Sequence, residues 1–370
     1  MSDRIDRASD DRLDLFVAGT VYLDIIFTGL DAVPAPGTEV FTLGMGSCPG
    51  GIANLAVAAS RLGLRTGLGT PLSSDVYGDF CWQTLKEENI DLSASRRFDD
   101  WHSPVTVSLA YDRDRSMVTH GHPAPLNADG LVGELPPARG AFLGLGHEPM
   151  PWVRRAREAG TLVFASVGWD STATWPAEAL AVLSDCYAFL PNSVEAMRYT
   201  RADTPREALH RLAERVPVVV VTCGSDGAMA VDSGTGETAS ALGVPVDALD
   251  PTGAGDVFGA GFATGTLAGW PLDRRLAFAN LVAALSVQHF GGSLSAPGWG
   301  DIADWWRATR ARAERHHAES TEAEVARRYG FLDDVIPAGP MRTVRRATAT
   351  IARLSDANVG GGATGAADPH

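Results

Sequence analysis

The sequence predicts an α/β fold: a three-layer α/β/α core around a mostly parallel sheet, with a small antiparallel β lid at its edge. Two observations carry this reading. Short continuous apolar runs recur through the middle of the chain: AFLGLG (141–146), TLVFASVG (161–168), CYAFLPNS (186–193) and VPVVVVTCG (216–224), separated by helical stretches such as PWVRRAREAG and VEAMRYT. Strands that are apolar throughout are covered on both faces, as in parallel sheets wrapped by helices. Two further segments, 13–27 and 103–120, alternate apolar with polar residues and do not suit a doubly covered core. They supply the flap.

Taken in order, residues 1–12 are a charged tail without an apolar stretch that could serve as a leader. LDLFVAGTVYLDIIF (13–27) reads as a strand, a Gly break and a second extended piece. DAVPAPG (31–37) is turn-rich and leads into EVFTL (39–43), a short strand. GGIANLAVAASRLGL (50–64) is a small-residue helix opened by paired glycines and closed by Gly63. SPVTVSLAYDRDRSMVTH (103–120) is a hairpin turning at Asp112–Arg113–Asp114. The apolar stretch from Leu276 to Val287 is too short to span a bilayer and reads as a buried helix. DIADWWRATRARAERHHAES (301–320) is a charged helical extension with Trp305–Trp306 as a packing stripe, and the glycine-rich end is a disordered tail.

Composition narrows the function. The 370 residues carry 45 Asp plus Glu against 31 Lys plus Arg, a formal charge of −14. Such a surface repels phosphate backbones and anionic lipid, which argues against nucleic acid and membranes as partners. Cys48, Cys81, Cys186 and Cys223 form no CxxC pair, so they suggest neither a zinc site nor a disulfide framework and fit a cytoplasmic protein with reduced thiols. There is no P-loop motif, and Gly44, Gly46, Gly50 and Gly51 miss the dinucleotide spacing. His102, His120, His122 and His147 match no common metal-site spacing and read as lid or loop residues.

The most informative segment is DPTGAGDVFGAGFATG (250–265). Pro251 and the glycines resist helix, whereas VFGAGFATGTLAG favours one, so Gly253, Ala254 and Gly255 stand at a helix start with free amides. Such an end binds anions, phosphate above all. Asp256 in the first turn points to the same place. A carboxylate there is repulsive to phosphate unless it holds a cation or takes a proton. On spacing alone, a tight turn with a helix-start acid serves equally well.

DPTGAGDVFGAGFA resembles the C-terminal signature of the ribokinase, or PfkB, family of carbohydrate kinases. Other segments resemble that family in the same order: VAGTVYLDII, PGGIANLAVAASRLG, LSSDVYGDFCWQTLKEENID, LPNSVEAM, VVVVTCGSDGAM and FANLVAALSVQHFGGSLSAP, together covering about residues 13–300. The chain departs from the commoner form in one place: one residue fewer separates Gly50–Gly51 from Asn54.

The resemblance implies a ribokinase-like kinase domain over 13–300, with lid segments at about 27–43 and 103–120; the composition beyond it adds a helical extension at 301–355 and a tail at 356–370. The resemblance also implies transfer of the ATP γ-phosphoryl group to an acceptor hydroxyl. Asp256 would be the general base, and the Gly253, Ala254 and Gly255 amides the anion hole. Asp24, Gly50, Gly51 and Asn54 would bind the acceptor, a sugar or alternatively a nucleoside stacked on Phe27, Trp101 or Tyr111. Asn192, Thr222, Gly224, Gly227 and Asn280 would bind ATP, with Glu195 organising Mg²⁺ through water. Asp250, Thr252, Ser286, Gly291 and Ser295 fall at the positions of a K⁺ site. A homodimer formed through the lid is a further implication, and a non-catalytic ligand-binding member of the same fold is the alternative of a different class.

Overall fold

The computed structural model describes residues 11–32, 34–111, 114–126, 128–145, 150–168, 174–315, 320–341, 344 and 346. The expectations for most of the N-terminal tail, for the 112–113 turn, for His147 and for the 356–370 tail lie outside the described residues.

The first half runs β1 (Leu13–Ala18), β2 (Val21–Leu30), β3 (Gly44–Gly51), α1 (Ala53–Arg61), β4 (Thr66–Gly69), β5 (Pro71–Ser73), α2 (Val76–Glu87), β6 (Arg96–Phe98), β7 (Val105–Tyr111) and β8 (Asp114–His120). The second half opens with α3 (Ala128–Val132), β9 (Ala138–Leu145), α4 (Pro151–Glu158), β10 (Leu162–Val167) and a 3-10 helix at Ala177–Asp185. It continues with β11 (Ala188–Phe189), α5 (Ser193–Thr200), α6 (Pro205–Ala213), β12 (Val218–Thr222), β13 (Ala228–Asp232) and β14 (Glu237–Ala241). The helices α7 (Ala254–Leu267), α8 (Leu272–Ser286), α9 (Trp299–Ala313), α10 (Thr321–Tyr329) and α11 (Leu332–Val335) follow.

Eight strands form the main sheet in the order β14-β13-β12-β11-β10-β9-β1-β4. From β12 to β4 every pair is parallel, and β13 and β14 return antiparallel at one edge. The strands are apolar on both faces because each face has its own core. Leu15, Val17, Val218 and Val220 pack with α1, α7 and α8, whereas Phe16, Ala18, Val219 and Val221 pack with α4 and α6. This period-2 division of a continuous apolar run is what a doubly covered strand requires.

Helix α7 is buried along nearly its whole length, and its glycines make that possible. A Cβ at Gly261 would stand 2.6 Å from Val282 Cγ2 of α8, and one at Gly259 2.9 Å from Phe142 Cζ of β9. Beyond residue 300, Ile302 and Trp306 of α9 are buried and Tyr329 of α10 donates its hydroxyl to the Ala277 carbonyl at 3.1 Å, so the extension packs on α8. Trp305 packs edge-on against Tyr329.

The small sheet, β3-β2-β7-β8, lies where the alternating segments led us to expect a lid, with two differences. Its outer pairs are antiparallel but the central pair, β2 with β7, is parallel. Between those strands the chain leaves for α1, β4 and α2 and returns, a crossover of the kind that parallel pairing needs. The expected strand at 39–43 is absent, and the pairing falls instead on GMGSCPGG (44–51). Glycine and proline are poor strand formers, but β3 is an edge strand, where Pro49 need not donate. Gly50 is required there: a Cβ would fall 1.9 Å from Asp24 Oδ2. Two connections join β2 and β3 to the core, Gly19–Thr20 and Ile52, and they touch, with the Ile52 amide donating to the Thr20 carbonyl at 3.2 Å.

Candidate functional site

The start of α7 is built on a glycine. Gly253 caps the helix in the left-handed region (φ 77°), and a Cβ on it would press to 3.0 Å of Asn54 Cγ. Asn54, in the first turn of α1, lies on that glycine and donates Nδ2 to Asp256 Oδ2 at 3.0 Å. Its Oδ1 is buried with no hydrogen-bond partner, 3.1 Å from where a Gly292 Cβ would be. Asp24 of β2 is buried nearby, facing Gly50 and within 3.7 Å of the Gly292 Cβ position. Gly253, Ala254, Gly255, Asp256, Asn54, Asp24 and Gly50, expected to act together, are thus brought together around the junction of α1, α7, β2 and β3.

Arg61, at the far end of α1, fixes the 292–296 turn beside them. Its Nη1 donates to the Leu294 and Ala296 carbonyls at 3.1 and 2.6 Å, while Nε and Nη2 bind Glu88 at 3.1 and 3.0 Å. Both side chains of this ion pair are buried.

Two cavities meet at the start of α7. One, of about 710 Å³, is lined by Thr20, Tyr22, Gly51, Ile52, Trp152 and Asp256 among others. The second, of about 500 Å³, is lined by Thr222, Gly224, Gly227, Ala254, Gly255 and Asn280, with apolar walls from Val244, Phe258 and Val287. Asp256 faces the first and Ala254–Gly255 the second. Asp24, Gly50 and Asn54 lie behind the wall of the first cavity rather than in its lining, where Tyr22, two residues from Asp24 along the same strand face, stands instead. The sequence signal for Tyr22 was that period-2 spacing. Trp152 had none, since it reaches the cavity from the other helical layer. Of the expected stacking aromatics, Trp101 lines a different recess and Phe27 does not line the large cavity. The Tyr111 side chain falls outside the described residues.

On the second cavity, Gly227 (φ 98°) could not carry a side chain, because its Cβ would fall 2.0 Å from the Ala241 carbonyl. Asn280 lines this cavity, yet its Nδ2 is committed to the Ala241 and Leu242 carbonyls at 3.0 and 3.3 Å, holding the end of β14. Asn192 bridges to Thr222 and caps α5. Asn192 Oδ1 accepts from the Glu195 amide at 2.9 Å, and Glu195 Oε2 accepts from the Asn192 amide at 2.8 Å. Burial pushes the Glu195 carboxyl up to about 6, against the lowering effect of its bonds to Asn192, and the negative charge of Asp256 adds to the rise. Two carboxylates that sense each other near a helix start are a donor set suited to a hard cation such as Mg²⁺.

The five positions of the expected K⁺ site gather on one side of this arrangement. Asp250, Thr252, Ser286 and Ser295 are buried. Asp250 Oδ1 accepts from the Thr252 amide at 2.9 Å and from its hydroxyl at 2.6 Å. The Gly291 amide stands 3.4 Å from Asp250 Oδ2, and Ser295 closes the same turn by donating to the Gly292 carbonyl at 2.7 Å. The four cysteines are free. Burial, reinforced by Asp24, pushes the Cys48 and Cys81 thiols well up, and burial pushes Cys186 up to about 12, so these thiols stay protonated. Among the described residues no helix is long and apolar enough to cross a membrane.

Comparison with known proteins agrees with this fold. Residues 152–299 match the pfkB family carbohydrate kinases. The chain is 28% identical over 302 residues to a nucleoside kinase of Methanothermobacter thermautotrophicus, covering 79% of this chain and 95% of that protein. It is 24% identical over 317 residues to a 5-dehydro-2-deoxygluconokinase of Geobacillus thermodenitrificans, covering 77% of this chain and 90% of the relative. Its fold is that of an Arabidopsis thaliana ribokinase solved with ribose and ATP, with a TM-score of 0.64 at 23% identity, covering 79% of this chain and 98% of that one.

Proposed function

We propose, from the premise that residues 152–299 make this chain a pfkB-family carbohydrate kinase and thus a phosphotransferase, that it moves the γ-phosphoryl group of ATP onto a hydroxyl of a small sugar-like acceptor at the start of α7. One observation carries the reading: a single helix start separates two cavities, with Asp256 turned to one and the Ala254–Gly255 backbone to the other. ATP would lie along Thr222, Gly224 and Gly227 with its terminal phosphate at the Gly253, Ala254 and Gly255 amides. The acceptor would fill the larger cavity, with Gly51 in its wall and Asp24, Gly50 and Asn54 setting the shape of that wall from behind.

In this arrangement Asp256 takes the proton of the acceptor hydroxyl. The hydroxyl oxygen bonds to the γ-phosphorus as the bond to the β–γ bridging oxygen breaks, and ADP leaves. Asn54 holds one Asp256 oxygen through its 3.0 Å bond and so sets the direction of the other. Phosphoryl transfer has a loose transition state, so positioning and the amide field of the helix start contribute more than basicity. Glu195, aided by Asn192, would hold Mg²⁺ through water, and that ion would neutralise the charge of the phosphates. Asp250, Thr252, Ser286, Gly291 and Ser295 would hold K⁺ beside the amides.

A nucleoside acceptor is the second reading. About 710 Å³ is roomy for a single sugar ring, Tyr22, Met150 and Trp152 offer flat or apolar walls for a base, and one relative is a nucleoside kinase. The free buried cysteines support a cytoplasmic setting. We further assign the kinase unit to residues 13–300 and an added segment to 301–355, whose described helices end with α11 at Val335. ADP release from Mg·ATP, measured with pentoses, hexoses, sugar phosphates and nucleosides, with and without K⁺, tests the proposal. A strong acceptor-dependent signal is expected. ATP binding with silence across the whole panel would favour a ligand-binding protein that has lost catalysis.

A further inference from the structure

Besides the two touching connections near Ile52, two others join the small sheet to the core: residues 99–104, which enter β7, and residues 121–126, which leave β8. The antiparallel register sets Val105 opposite His120. Side chains two apart on an extended chain face one side, so His120 and His122 point the same way. His102 arrives on that side from the opposite connection. The His102 and His120 rings stack with centroids 5.2 Å apart and planes 5° from parallel, and the His122 ring meets them edge-on at 4.7 and 5.4 Å. One ring nitrogen from each lies within 4.8 Å of the other two.

Apolar burial does not explain this gathering, since His120 and His122 are exposed and only His102 is half-buried. The backbone around the rings is nevertheless fixed. Asp75 accepts from the Ser103 amide at 2.8 Å and from its hydroxyl at 3.0 Å, and Trp101 Nε1 donates to the His122 carbonyl at 3.4 Å. The adjoining recess is lined by His102, His122, Asp75, Asp99 and Asp100 without a lysine or arginine, a field that favours a cation.

We propose that His102, His120 and His122 form a binding site for a single transition-metal dication, Zn²⁺ foremost, which ties the two connections together. Three imidazole donors select zinc, nickel or copper over magnesium and calcium. Tetrahedral zinc with Zn–N near 2.1 Å sets its ligand nitrogens about 3.4 Å apart, so binding requires the two exposed rings to turn inward from their present spacing of within 4.8 Å. Water or an aspartate of the recess completes the set. The three histidines share no residue with the proposed Mg²⁺ position at Glu195. Pro123 and Ala124, next to His122, line the larger cavity, so the bound ion fixes a piece of that cavity's wall.

The test is titration of the full, untagged, chelator-stripped protein with Zn²⁺ against a chromophoric chelator, together with the visible spectrum of the Co²⁺ form. One equivalent of metal and tetrahedral Co²⁺ bands are expected. His120→Ala/His122→Ala is expected to weaken binding at least about 100-fold, more than the loss of an outer-shell partner costs. His122→Asn, a polar replacement at an exposed position, repeats the reading independently of the double variant's fold. Absence of stoichiometric binding in the unaltered protein, or equal affinity in the variants, overturns the proposal.

Discussion

At the scale of single residues the site turns on a few contacts at fixed distance. Asp256→Asn preserves size and the ability to accept from Asn54 Nδ2, but removes the base. It is expected to lower acceptor-dependent ADP release by at least about 10²-fold while leaving ATP binding intact, and normal turnover would remove Asp256 from its role. Gly50→Ala forces a Cβ into the space of the Asp24 carboxylate, 1.9 Å from Oδ2. An ångström of displacement in a positioning group costs about 10²-fold, so kcat/KM for the acceptor is expected to fall by that order with the KM for ATP unchanged. Glu195, with its carboxyl raised to about 6 against an ordinary value of 4.5, gives a pH dependence. Its raised value means that the folded protein favours the protonated form: stability from this group is complete below about 4.5 and is lost as pH rises through about 6. Magnesium affinity runs the opposite way, weakening as pH falls through about 6. Glu195→Gln, which keeps the bond to the Asn192 amide, is expected to raise the ligand-free Tm at pH 7.5 and to abolish this limb of the magnesium titration. An unchanged magnesium profile in the variant would free Glu195 from metal binding.

Among the elements, α1 and its neighbours hold the site in shape. The buried Arg61–Glu88 pair joins the end of α1 to the residue after α2 and to the 292–296 turn that backs Asn54. Arg61→Met takes the guanidinium away from a buried carboxylate and two carbonyls, so a loss of about 3–5 kcal/mol in denaturant unfolding is expected. A loss under about 1 kcal/mol would mean that Glu88 finds another partner or water. The elements also show what could be read in the sequence. The apolar runs at 161–168 and 216–224 appear as β10 and β12 because burial on both faces leaves a local signature. The run at 186–193 shrinks to the two residues of β11, whose neighbours serve the turn into Asn192. Strand β3 was illegible because its glycines answer contacts made across strands, Gly50 with Asp24, Gly44 with Thr28 and Gly51 with Tyr22, that local propensity does not record. The α7 start, by contrast, was legible in full, since Gly253 and Asp256 lie three residues apart and need only one another and a helix. Asn54 and Tyr22 depend on how β2 and α1 fold back on it, and the convergence of the three histidines depends on a register set by β7 and β8.

For the whole molecule, the open question is how the small sheet meets its surroundings. Phe41 and Leu43 are 87% and 86% exposed, and Met117 and Val118 of β8 add to the apolar surface. Large apolar side chains left this exposed, before β3 and on β8 of one small sheet, suit an association face. We expect a homodimer through this sheet, and Phe41→Glu/Leu43→Glu is expected to convert it to a monomer in light scattering. An unaltered protein that is monomeric at every concentration would rule this face out as a dimer contact.

The two touching connections that join β2 and β3 to the core have one more consequence. Gly19 and Thr20 on one, and Ile52 on the other together with Gly51 at the end of β3, all line the cavity that Asp256 faces. The joint on which the small sheet would turn is therefore also the wall against which an acceptor would rest. A door hung in this way cannot swing without reshaping its own threshold, and whatever lies on the threshold decides how far the door goes.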